Sequence, residues 1–415
     1  MMSVADRFIE YVKIESPSDQ DNLANTPSTQ CQFDMSNQVA AELREMGCLD
    51  VEVDEHAYVT ATVPASAGAE DLPALVLCAH VDATPDVSDH DVKPHIVHYE
   101  GGTLHIGTDV WGNSVDTDPV ETPGLAEYVG QDVICSDGTT LLAADDKGAV
   151  AEIVQLAAIL MDDPTLPHPT LKLALVPDEE IGHGARLLDL EKMGTKWGYT
   201  VDGERVGHFN YECFNASMWD VHAHGMNVHP GVSKNVMRNA VRYLEEFDML
   251  LPAQERPQFT CGYEGFYHQM WFKGDVNEAT ARYIVRDHDA EKFARREEVM
   301  RRTADYLNDR YGEGTITLEC NEQYRNMAEL IREGGQCLVD NALAAIREAG
   351  FEPKVDPIRG GTDGSQLTFR GLLCPNLTNG SLNNHSIKEL QSVQSLEAMV
   401  DILLKLVAKF AVPQE

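Results

Sequence analysis

Residues 171–180 read LKLALVPDEE, a mainly apolar run that stops at a proline and three acidic residues. A second apolar run, at residues 74–79, stops in the same way at His80-Val81-Asp82. Runs of this length are typical of strands that are buried on both faces of a sheet. We therefore predict two buried strands, each followed directly by titratable side chains.

Two further apolar runs extend this pattern along the chain. Residues 197–201 lead to Asp202-Gly203, and residues 373–377 lead toward Asn384-His385. Between the strands, residues 149–161 place apolar side chains at helical spacing. Strands that alternate with helices predict an α/β fold with a mainly parallel sheet and helices on both of its faces. In such sheets the functional site forms at the C-terminal ends of the strands, which is where the acidic and histidine residues lie here.

The sequence pattern changes between about residue 215 and about residue 326. This part of the chain predicts the order strand, helix, strand, strand, helix, strand. That order fits a small α+β domain inserted into the larger one. We therefore predict a catalytic domain in two parts, residues 1–214 and 327–415, with an inserted α+β lid domain at residues 215–326.

The composition is that of a strongly acidic globular protein. The chain has 415 residues, with 68 acidic against 32 basic residues and a net charge of −36. Such a charge repels nucleic acids and anionic membranes, so neither is an expected partner. The first residues lack the apolar segment of a secretory signal, and the nine cysteines contain no CxxC pair. We expect a cytoplasmic protein without a disulfide framework or a cysteine-rich zinc site.

The candidate chemistry lies in five short segments at or near the predicted strand ends. These are HVD at residues 80–82, ADDKG at 144–148, PDEE at 177–180, VDG at 201–203 and NH at 384–385. Taken singly, each has an ordinary explanation, as a hydrogen-bonded histidine, a solvated acidic turn or a glycine turn. Taken together, two histidines and three carboxylates suit two zinc ions with a position left open for water.

These segments resemble the motifs of the di-zinc exopeptidase family, which includes carboxypeptidase G-like enzymes and aminoacylases. The resemblance covers essentially the whole chain. Two stretches resemble the peptidase T branch of that family in particular, the branch of tripeptide aminopeptidases. They are GYEGFYH at residues 262–268 and PIRGGTDG at residues 357–364.

The resemblance implies a metal-binding role for five residues. His80 and Asp202 would bind one zinc ion, and Glu180 and His385 would bind the other. Asp145 would bridge both ions, which offsets the repulsion between two neighbouring cations. The implied cofactor is therefore two zinc ions per chain.

The resemblance also implies two roles for side chains that do not bind metal. Glu179 would be the general base, taking a proton from a water that the metal ions activate. Asp82, two residues after His80, would orient the imidazole ring from the side away from the metal.

Three further residues complete the implied site, of which His229 lies in the inserted domain. His229 would stabilise the oxyanion or bind the substrate. Arg286 and Arg359 would bind the C-terminal carboxylate of the peptide through paired hydrogen bonds. Ordinary alternatives stay open at this point, namely a core or loop histidine and two surface ion pairs.

We therefore expect a zinc-dependent aminopeptidase that removes the N-terminal residue of short peptides, preferentially tripeptides. A dipeptidase, a carboxypeptidase or an N-acyl amino acid deacylase with the same metal site is the alternative within the family. If the protein bound peptides without catalysis, Glu179 or a metal ligand would be expected to be missing, but all are present. If the zinc were only structural, thiolate ligands would be expected, and the candidate segments contain none. The expected partners are short peptide substrates, and the expected assembly is a monomer or a homodimer.

Overall fold

The computed structural model describes residues 2–414, which form two compact units. Unit 1 comprises residues 2–211, 329–356 and 362–414. Unit 2 comprises residues 212–328 and 357–361.

Unit 2 extends slightly beyond the predicted inserted domain at 215–326, to residues 212–328, and it also includes residues 357–361. The Ile358 N–H donates to the Glu212 carbonyl, and the Arg359 side chain donates to the carbonyls of Gly262 and Glu264. These contacts join segments that lie far apart in the sequence. The periodicity of the sequence reports only on neighbours, so it could not predict them.

The α-helices are numbered in chain order. They are α1 (Val4–Tyr11), α2 (Gln32–Glu45), α3 (Ala144–Asp162), α4 (Leu190–Met193), α5 (Ala240–Leu250), α6 (Ala290–Tyr311), α7 (Ala328–Gly334), α8 (Gln336–Glu348), α9 (Asp363–Phe369) and α10 (Val393–Lys409). Short 3-10 helices cover Pro123–Tyr128, Glu179–Ile181, Pro230–Val232 and Pro257–Phe259. No helix among residues 2–414 is long and apolar enough to cross a membrane.

The strands are numbered in the same way. They are β1 (Leu49–Val53), β2 (Val59–Val63), β3 (Leu75–His80), β4 (His95–Tyr99), β5 (Leu104–Thr108), β6 (Ser114–Thr117), β7 (Gln131–Cys135), β8 (Leu171–Val176), β9 (Gly198–Val201), β10 (His208–Asn210), β11 (Asn215–His224), β12 (Phe266–Gly274), β13 (Glu278–Asp287), β14 (Ile316–Tyr324), β15 (Lys354–Val355), β16 (Asn376–Leu377), β17 (Ser381–Leu382) and β18 (Leu390–Ser392).

An eight-stranded sheet forms the centre of unit 1, in the order β1-β2-β8-β3-β9-β16-β10-β15. Strands β8, β3, β9 and β16 are parallel to their neighbours within this set, whereas β2 pairs antiparallel with β8 and β10 antiparallel with β16. The predicted mainly parallel sheet is therefore confirmed. The strand predicted at residues 373–377 is shorter than expected, since Pro375 has no N–H to donate to a neighbouring strand.

Helices cover both faces of this sheet, as predicted. On one face, Val76 and Cys78 of β3 lie in a cluster with Met193 of α4 and Leu367 of α9. On the other face, α3 lies against β3 and also contacts α1 and α10. All residues of β3 are buried as a result, which explains why its sequence is apolar without alternation.

Two smaller sheets of unit 1 involve residues 95–135, for which the sequence predicted no elements. One has the order β17-β18-β7-β4, and the other is the hairpin β5-β6. The first sheet combines strands from distant parts of the chain, which local periodicity does not indicate. It holds the segment between β17 and β18, which contains His385, beside the rest of unit 1.

Unit 2 contains β11, α5, β12, β13, α6 and β14, in the predicted order of strand and helix types. Its antiparallel sheet has the strand order β12-β13-β11-β14. Strand side chains such as Trp219 and Tyr283 share one apolar core with Phe247 of α5 and Leu307 of α6. The α+β character predicted for this part of the chain follows from that single-sided packing.

Candidate active site

The predicted metal ligands all lie in unit 1, close to the ends of its parallel strands. Strand β3 ends at His80, β9 ends directly before Asp202, and Glu180 follows β8. Because β8, β3 and β9 are adjacent and parallel, their C-terminal ends share one edge of the sheet. Asp145 lies in the first turn of α3, and His385 lies between β17 and β18.

The structure brings these five side chains together as two overlapping groups. His80, Asp145 and Asp202 belong to the first group, in which all ligand atoms lie within 4.8 Å of one another. Asp145, Glu180 and His385 form the second group by the same measure. Asp145 is common to both groups.

Both histidines direct Nε2 toward this shared carboxylate. The Nδ1 of His80 lies 3.0 Å from the Asp82 carbonyl, so Nδ1 must carry the donated hydrogen. Its Nε2 lies 3.1 Å from Asp145 Oδ1. The Nε2 of His385 lies 2.9 Å from Glu180 Oε2 and 3.6 Å from Asp145 Oδ2. The Nδ1 of His385 lies 3.3 Å from the Thr84 hydroxyl, so each ring contacts the surrounding protein through Nδ1 and directs Nε2 to the site.

Asp82 contacts both the first histidine and the acidic turn after β8. Its carboxylate is fully buried and lies 3.3 Å from His80 Nδ1. Oδ1 also accepts the Glu179 N–H at 3.0 Å, and Oδ2 accepts the Glu180 N–H at 3.2 Å. The contact with the backbone of the turn was not predicted from the sequence. It gives Asp82 a position from which it can fix a ligand and the proposed base together.

The acidic turn is fixed from a second side through Asp178, which has a left-handed backbone conformation (φ 59°). Its carboxylate accepts hydrogen bonds from the Ser28 N–H at 2.8 Å and from the Ser28 hydroxyl at 2.5 Å. The Gln32 amide donates to it at 2.7 Å. Asp178 is thus a buried anchor, although the sequence offered only its place in the PDEE segment.

The carboxyl groups of the acidic turn and of Asp202 have raised pKa values, so protonation is favoured. Burial, followed by the negative charge of Asp363, raises the pKa of Glu179 well above its usual range. Burial and the charge of Asp145 raise the pKa of Glu180 to about 7 and that of Asp202 to about 8. These carboxyl groups lie in a low-dielectric site where negative charges repel one another.

Asp145 responds in the opposite direction. Burial alone would raise its pKa, but the nearby imidazole rings of His385 and His80 lower it below its usual range. The same carboxylate, together with Glu180, raises the pKa of His385 to about 11. The Asp145 carboxylate is therefore ionised, and the two neighbouring histidines stabilise its negative charge.

This cluster fits metal cations. Imidazole nitrogens and carboxylate oxygens are common ligands of divalent transition metals, and cations would offset the repulsion among the buried carboxylates. Glu180 Oε1 is buried and has no hydrogen-bond partner among residues 2–414. We therefore identify the cluster as the candidate metal site of the protein.

Sequence reasoning missed two buried acids beside this cluster. Asp146 belongs to the first ligand group, and its carboxylate accepts the His80 N–H at 3.2 Å and the Asn379 amide at 2.8 Å. Glu389 is buried and accepts the Asp145 N–H at 3.1 Å. Both acids lie near candidate ligands in the sequence, since Asp146 adjoins Asp145 and Glu389 is four residues after His385. The sequence alone does not distinguish either position from a solvated acid.

The other predicted residues lie in unit 2. His229 is exposed, and its Nδ1 accepts the Gly231 N–H at 3.1 Å. The Arg286 guanidinium lies over the ring of Tyr324, and its buried Nε has no hydrogen-bond partner among residues 2–414. Arg359 is different, because its guanidinium donates to Gly262, Glu264 and Thr260. Arg286 therefore has more donors free for a ligand than Arg359.

Comparison with known proteins agrees with this description. Residues 211–315 match the family described as the peptidase dimerisation domain. The chain is 42% identical over 412 residues to peptidase T of Clostridium novyi (strain NT), which covers 99% of this chain and 100% of the relative. It is also 42% identical over 406 residues to peptidase T of Parabacteroides distasonis, with 98% of each chain covered.

Two solved structures share the fold. A tripeptidase from Staphylococcus aureus superimposes with a TM-score of 0.77 at 20% identity, covering 98% of both chains. The aminopeptidase PepT from Bacillus cereus superimposes with a TM-score of 0.75 at 19% identity, covering 99% of this chain and 98% of that one. The fold and the candidate metal site together define a metallopeptidase. The chain is 42% identical to both relatives over nearly its whole length, so it belongs to the peptidase T family.

Proposed function

We propose that this peptidase is a zinc-dependent aminopeptidase that hydrolyses the N-terminal peptide bond of short peptides, preferentially tripeptides. The observation that carries the proposal is the arrangement of the acidic turn. Glu180 belongs to a ligand group that shares Asp145 with the other group, whereas the adjacent Glu179 belongs to neither. A carboxylate beside a metal site but outside its ligand set is suited to move protons.

Two zinc ions per chain fit the two overlapping groups. His80 and Asp202 would hold one ion, Glu180 and His385 the other, and Asp145 both. When bound, the ions would lower the pKa of an attacking water and polarise the carbonyl of the scissile bond. The absence of cysteine from both ligand groups found within residues 2–414 agrees with a catalytic zinc site, since structural sites are commonly rich in thiolates.

Glu179 is proposed as the general base. Its carboxylate would take a proton from the attacking water and deliver it to the amine of the leaving peptide. Asp82 supports this role, because it binds the backbone N–H of Glu179 and also contacts His80. The same buried carboxylate thus contacts both Glu179 and His80.

Three residues of unit 2 are proposed to contact the substrate. His229 would stabilise the oxyanion or bind the substrate. Arg286 would bind the C-terminal carboxylate of the peptide, and Arg359 would assist through the donors that its backbone contacts leave free. Because a guanidinium binds a carboxylate through paired hydrogen bonds, binding of the C-terminal carboxylate would make hydrolysis depend on peptide length, in line with the proposed preference for tripeptides.

The test is release of the N-terminal residue from a free tripeptide by zinc-loaded and by chelator-treated protein. An N-acetylated tripeptide and a dipeptide are assayed in parallel. Zinc-dependent cleavage of the free tripeptide alone is the expected result. Cleavage of the acetylated peptide in its place would reassign the protein to the deacylases or carboxypeptidases.

The general base is tested by Glu179→Gln, which keeps the shape of the side chain and removes its basicity. We expect hydrolysis of the tripeptide to be abolished while the zinc content per chain stays close to that of the wild type. An equal loss of zinc would contradict the assignment, because Glu179 would then be a ligand.

The assembly is proposed to be a homodimer. The match of residues 211–315 to a peptidase dimerisation domain supports this proposal. Light scattering on the zinc-loaded protein would give the mass of two chains if the proposal is correct, and the mass of one chain otherwise.

A further inference from the structure

The loop that follows the acidic turn, residues 182–188, is bound to helix α9 by side-chain hydrogen bonds. The Gln366 amide donates to the Gly182 carbonyl at 3.1 Å. The Arg370 guanidinium, at the end of α9, donates to the carbonyls of Ala185 and Leu188, the latter at 2.7 Å. Both contacts satisfy carbonyl groups of a loop that belongs to no sheet.

Asp363, at the start of α9, accepts a hydrogen bond that the loop donates. Its side chain is almost completely buried, and Oδ1 accepts the Ala185 N–H at 2.8 Å. It belongs to neither ligand group of the metal site found within residues 2–414. Asp363 is therefore a buried acid whose place in the fold the metal ions do not explain.

The fit between Asp363 and the loop is tight at Gly184. A Cβ placed on Gly184 would overlap both carboxylate oxygens of Asp363 and would lie 2.8 Å from its Cγ. The backbone of Gly184 has no positive φ that would itself require glycine. Glycine is thus required at this position because a side chain would block the approach of the carboxylate, and not because of the conformation of the loop.

The loop is joined to the acidic turn by backbone hydrogen bonds. The Gly182 N–H donates to the Glu179 carbonyl at 2.6 Å, and the His183 N–H donates to the Asp178 carbonyl at 2.9 Å. A shift of the backbone at residues 184–185 would therefore be transmitted to residue 179. Asp82 holds the other side of the same turn, so the turn is fixed at both of its ends.

We propose that Asp363 is a positioning residue for Glu179, acting through its hydrogen bond to Ala185 and its close approach to Gly184. The proposal rests on the assignment of Glu179 as the general base. Asp363 does not touch the substrate in this scheme. It keeps the loop, and with it the Glu179 carboxylate, at the place from which the base reaches its proton.

The proposal predicts a specific pattern in two single variants and their combination. Asp363→Ala removes the acceptor, and Gly184→Ala displaces the carboxylate by overlap. Each is expected to lower kcat by about 10- to 100-fold, because small displacements of a catalytic group carry losses of this size. KM and zinc content are expected to stay within about twofold of the wild type, because no substrate contact or ligand is removed.

The double variant gives the sharpest outcome. Once Asp363→Ala has emptied the space beside Gly184, the added methyl group of Gly184→Ala has room. The double variant is therefore expected to have the same kcat as Asp363→Ala alone, whereas independent effects would multiply. Asp363→Asn keeps an oxygen that can accept the Ala185 N–H and is expected to retain most of the wild-type kcat.

A matched control distinguishes positioning from simple stability. Thr368 of α9 accepts the Cys374 N–H at 3.0 Å and donates to the Gly364 carbonyl, but neither of these bonds reaches the loop. Thr368→Val is expected to lower the thermal midpoint while kcat stays unchanged. If it lowered kcat as much as Asp363→Ala, general loosening of α9 would explain both variants and the proposal would be overturned.

The experiment measures kcat, KM, zinc per chain and thermal midpoint for all variants with the free tripeptide. An unchanged kcat in Asp363→Ala or Gly184→Ala would overturn the proposal, and so would loss of zinc parallel to loss of kcat. If Asp363→Ala does not fold, Gly184→Ala and Asp363→Asn still decide the question. Failure of the wild type to cleave the peptide would instead refute the proposed function.

Discussion

Replacing Glu152 with methionine is expected to stabilise unit 1. Glu152 lies in α3, is fully buried, and neither of its carboxyl oxygens has a hydrogen-bond partner among residues 2–414. Burial, and then the charge of Asp146, raises the pKa of Glu152 well above its usual range. Methionine has a similar length and helix propensity, so the change removes the polar group and little else.

The magnitude follows from two separate terms. Burying a polar group without a hydrogen bond costs about 1–3 kcal/mol in proteins, and the variant regains this amount at any pH. The second term depends on pH. Above about pH 4.3 the glutamate ionises in the unfolded chain but stays protonated in the fold, so rising pH destabilises the wild type by about 1.4 kcal/mol per unit. This continues until the pH reaches the pKa of the folded state.

Denaturant unfolding of the zinc-loaded wild type and variants, measured between pH 5 and pH 8, tests both terms. Glu152→Gln is the informative companion, because it keeps a polar group but cannot titrate. We expect Glu152→Met to exceed Glu152→Gln by a margin that does not depend on pH. Both variants should gain on the wild type as the pH rises.

Two results would refute this reasoning. If Glu152→Met were less stable than the wild type at every pH, the carboxyl group would have a favourable partner. If the margin between the variants and the wild type stayed constant with pH, Glu152 would not be protonated in the fold. Either outcome would remove the case for an unsatisfied buried acid in α3.

Two further predictions concern the site and the substrate. Asp82→Asn can present only one side-chain oxygen to the N–H groups of Glu179 and Glu180, so one partly buried N–H loses its acceptor, which costs about 1 kcal/mol. We expect kcat/KM for the tripeptide to fall about 10- to 100-fold, whereas Asp275→Asn, which replaces another acceptor of two backbone N–H groups, should have no effect; unchanged activity in Asp82→Asn would contradict the role. Arg286→Ala is expected to raise KM about tenfold or more for tripeptides with a free C-terminus and to leave C-terminally amidated tripeptides unaffected, and equal effects on both peptides would exclude binding of the carboxylate.

The sequence predicted the main sheet and the placement of several site residues for one physical reason. Adjacent parallel strands end at the same edge, so polar residues at or shortly after the ends of β3, β8 and β9 had to lie near one another. His80, Glu180 and Asp202 follow from this rule. The roles of these side chains in binding zinc and in catalysis stay predictions.

Other parts of the site could not be derived from periodicity. His385 lies between two-residue and three-residue strands and has a positive φ of 62°, so no regular pattern marks it. Resemblance to a known family was the only indication of its role. Asp363 and Glu389 are buried and bind backbone N–H groups of segments distant in the sequence. A single sequence does not show which of its many acidic residues are buried in this way.

The return of residues 357–361 to unit 2 has a consequence for synthesis of the chain. The Arg359 guanidinium ties down the segment from Thr260 to Glu264, about a hundred residues earlier. At about 5–20 residues per second, a ribosome adds the residues between 328 and 357 over several seconds after the strands of unit 2 are complete. During that interval the sheet of unit 2 can assemble, but the 260–264 segment still lacks its hydrogen bonds to the Arg359 guanidinium. The contacts of the 260–264 segment in unit 2 can therefore form only after residues 357–361 have been synthesised.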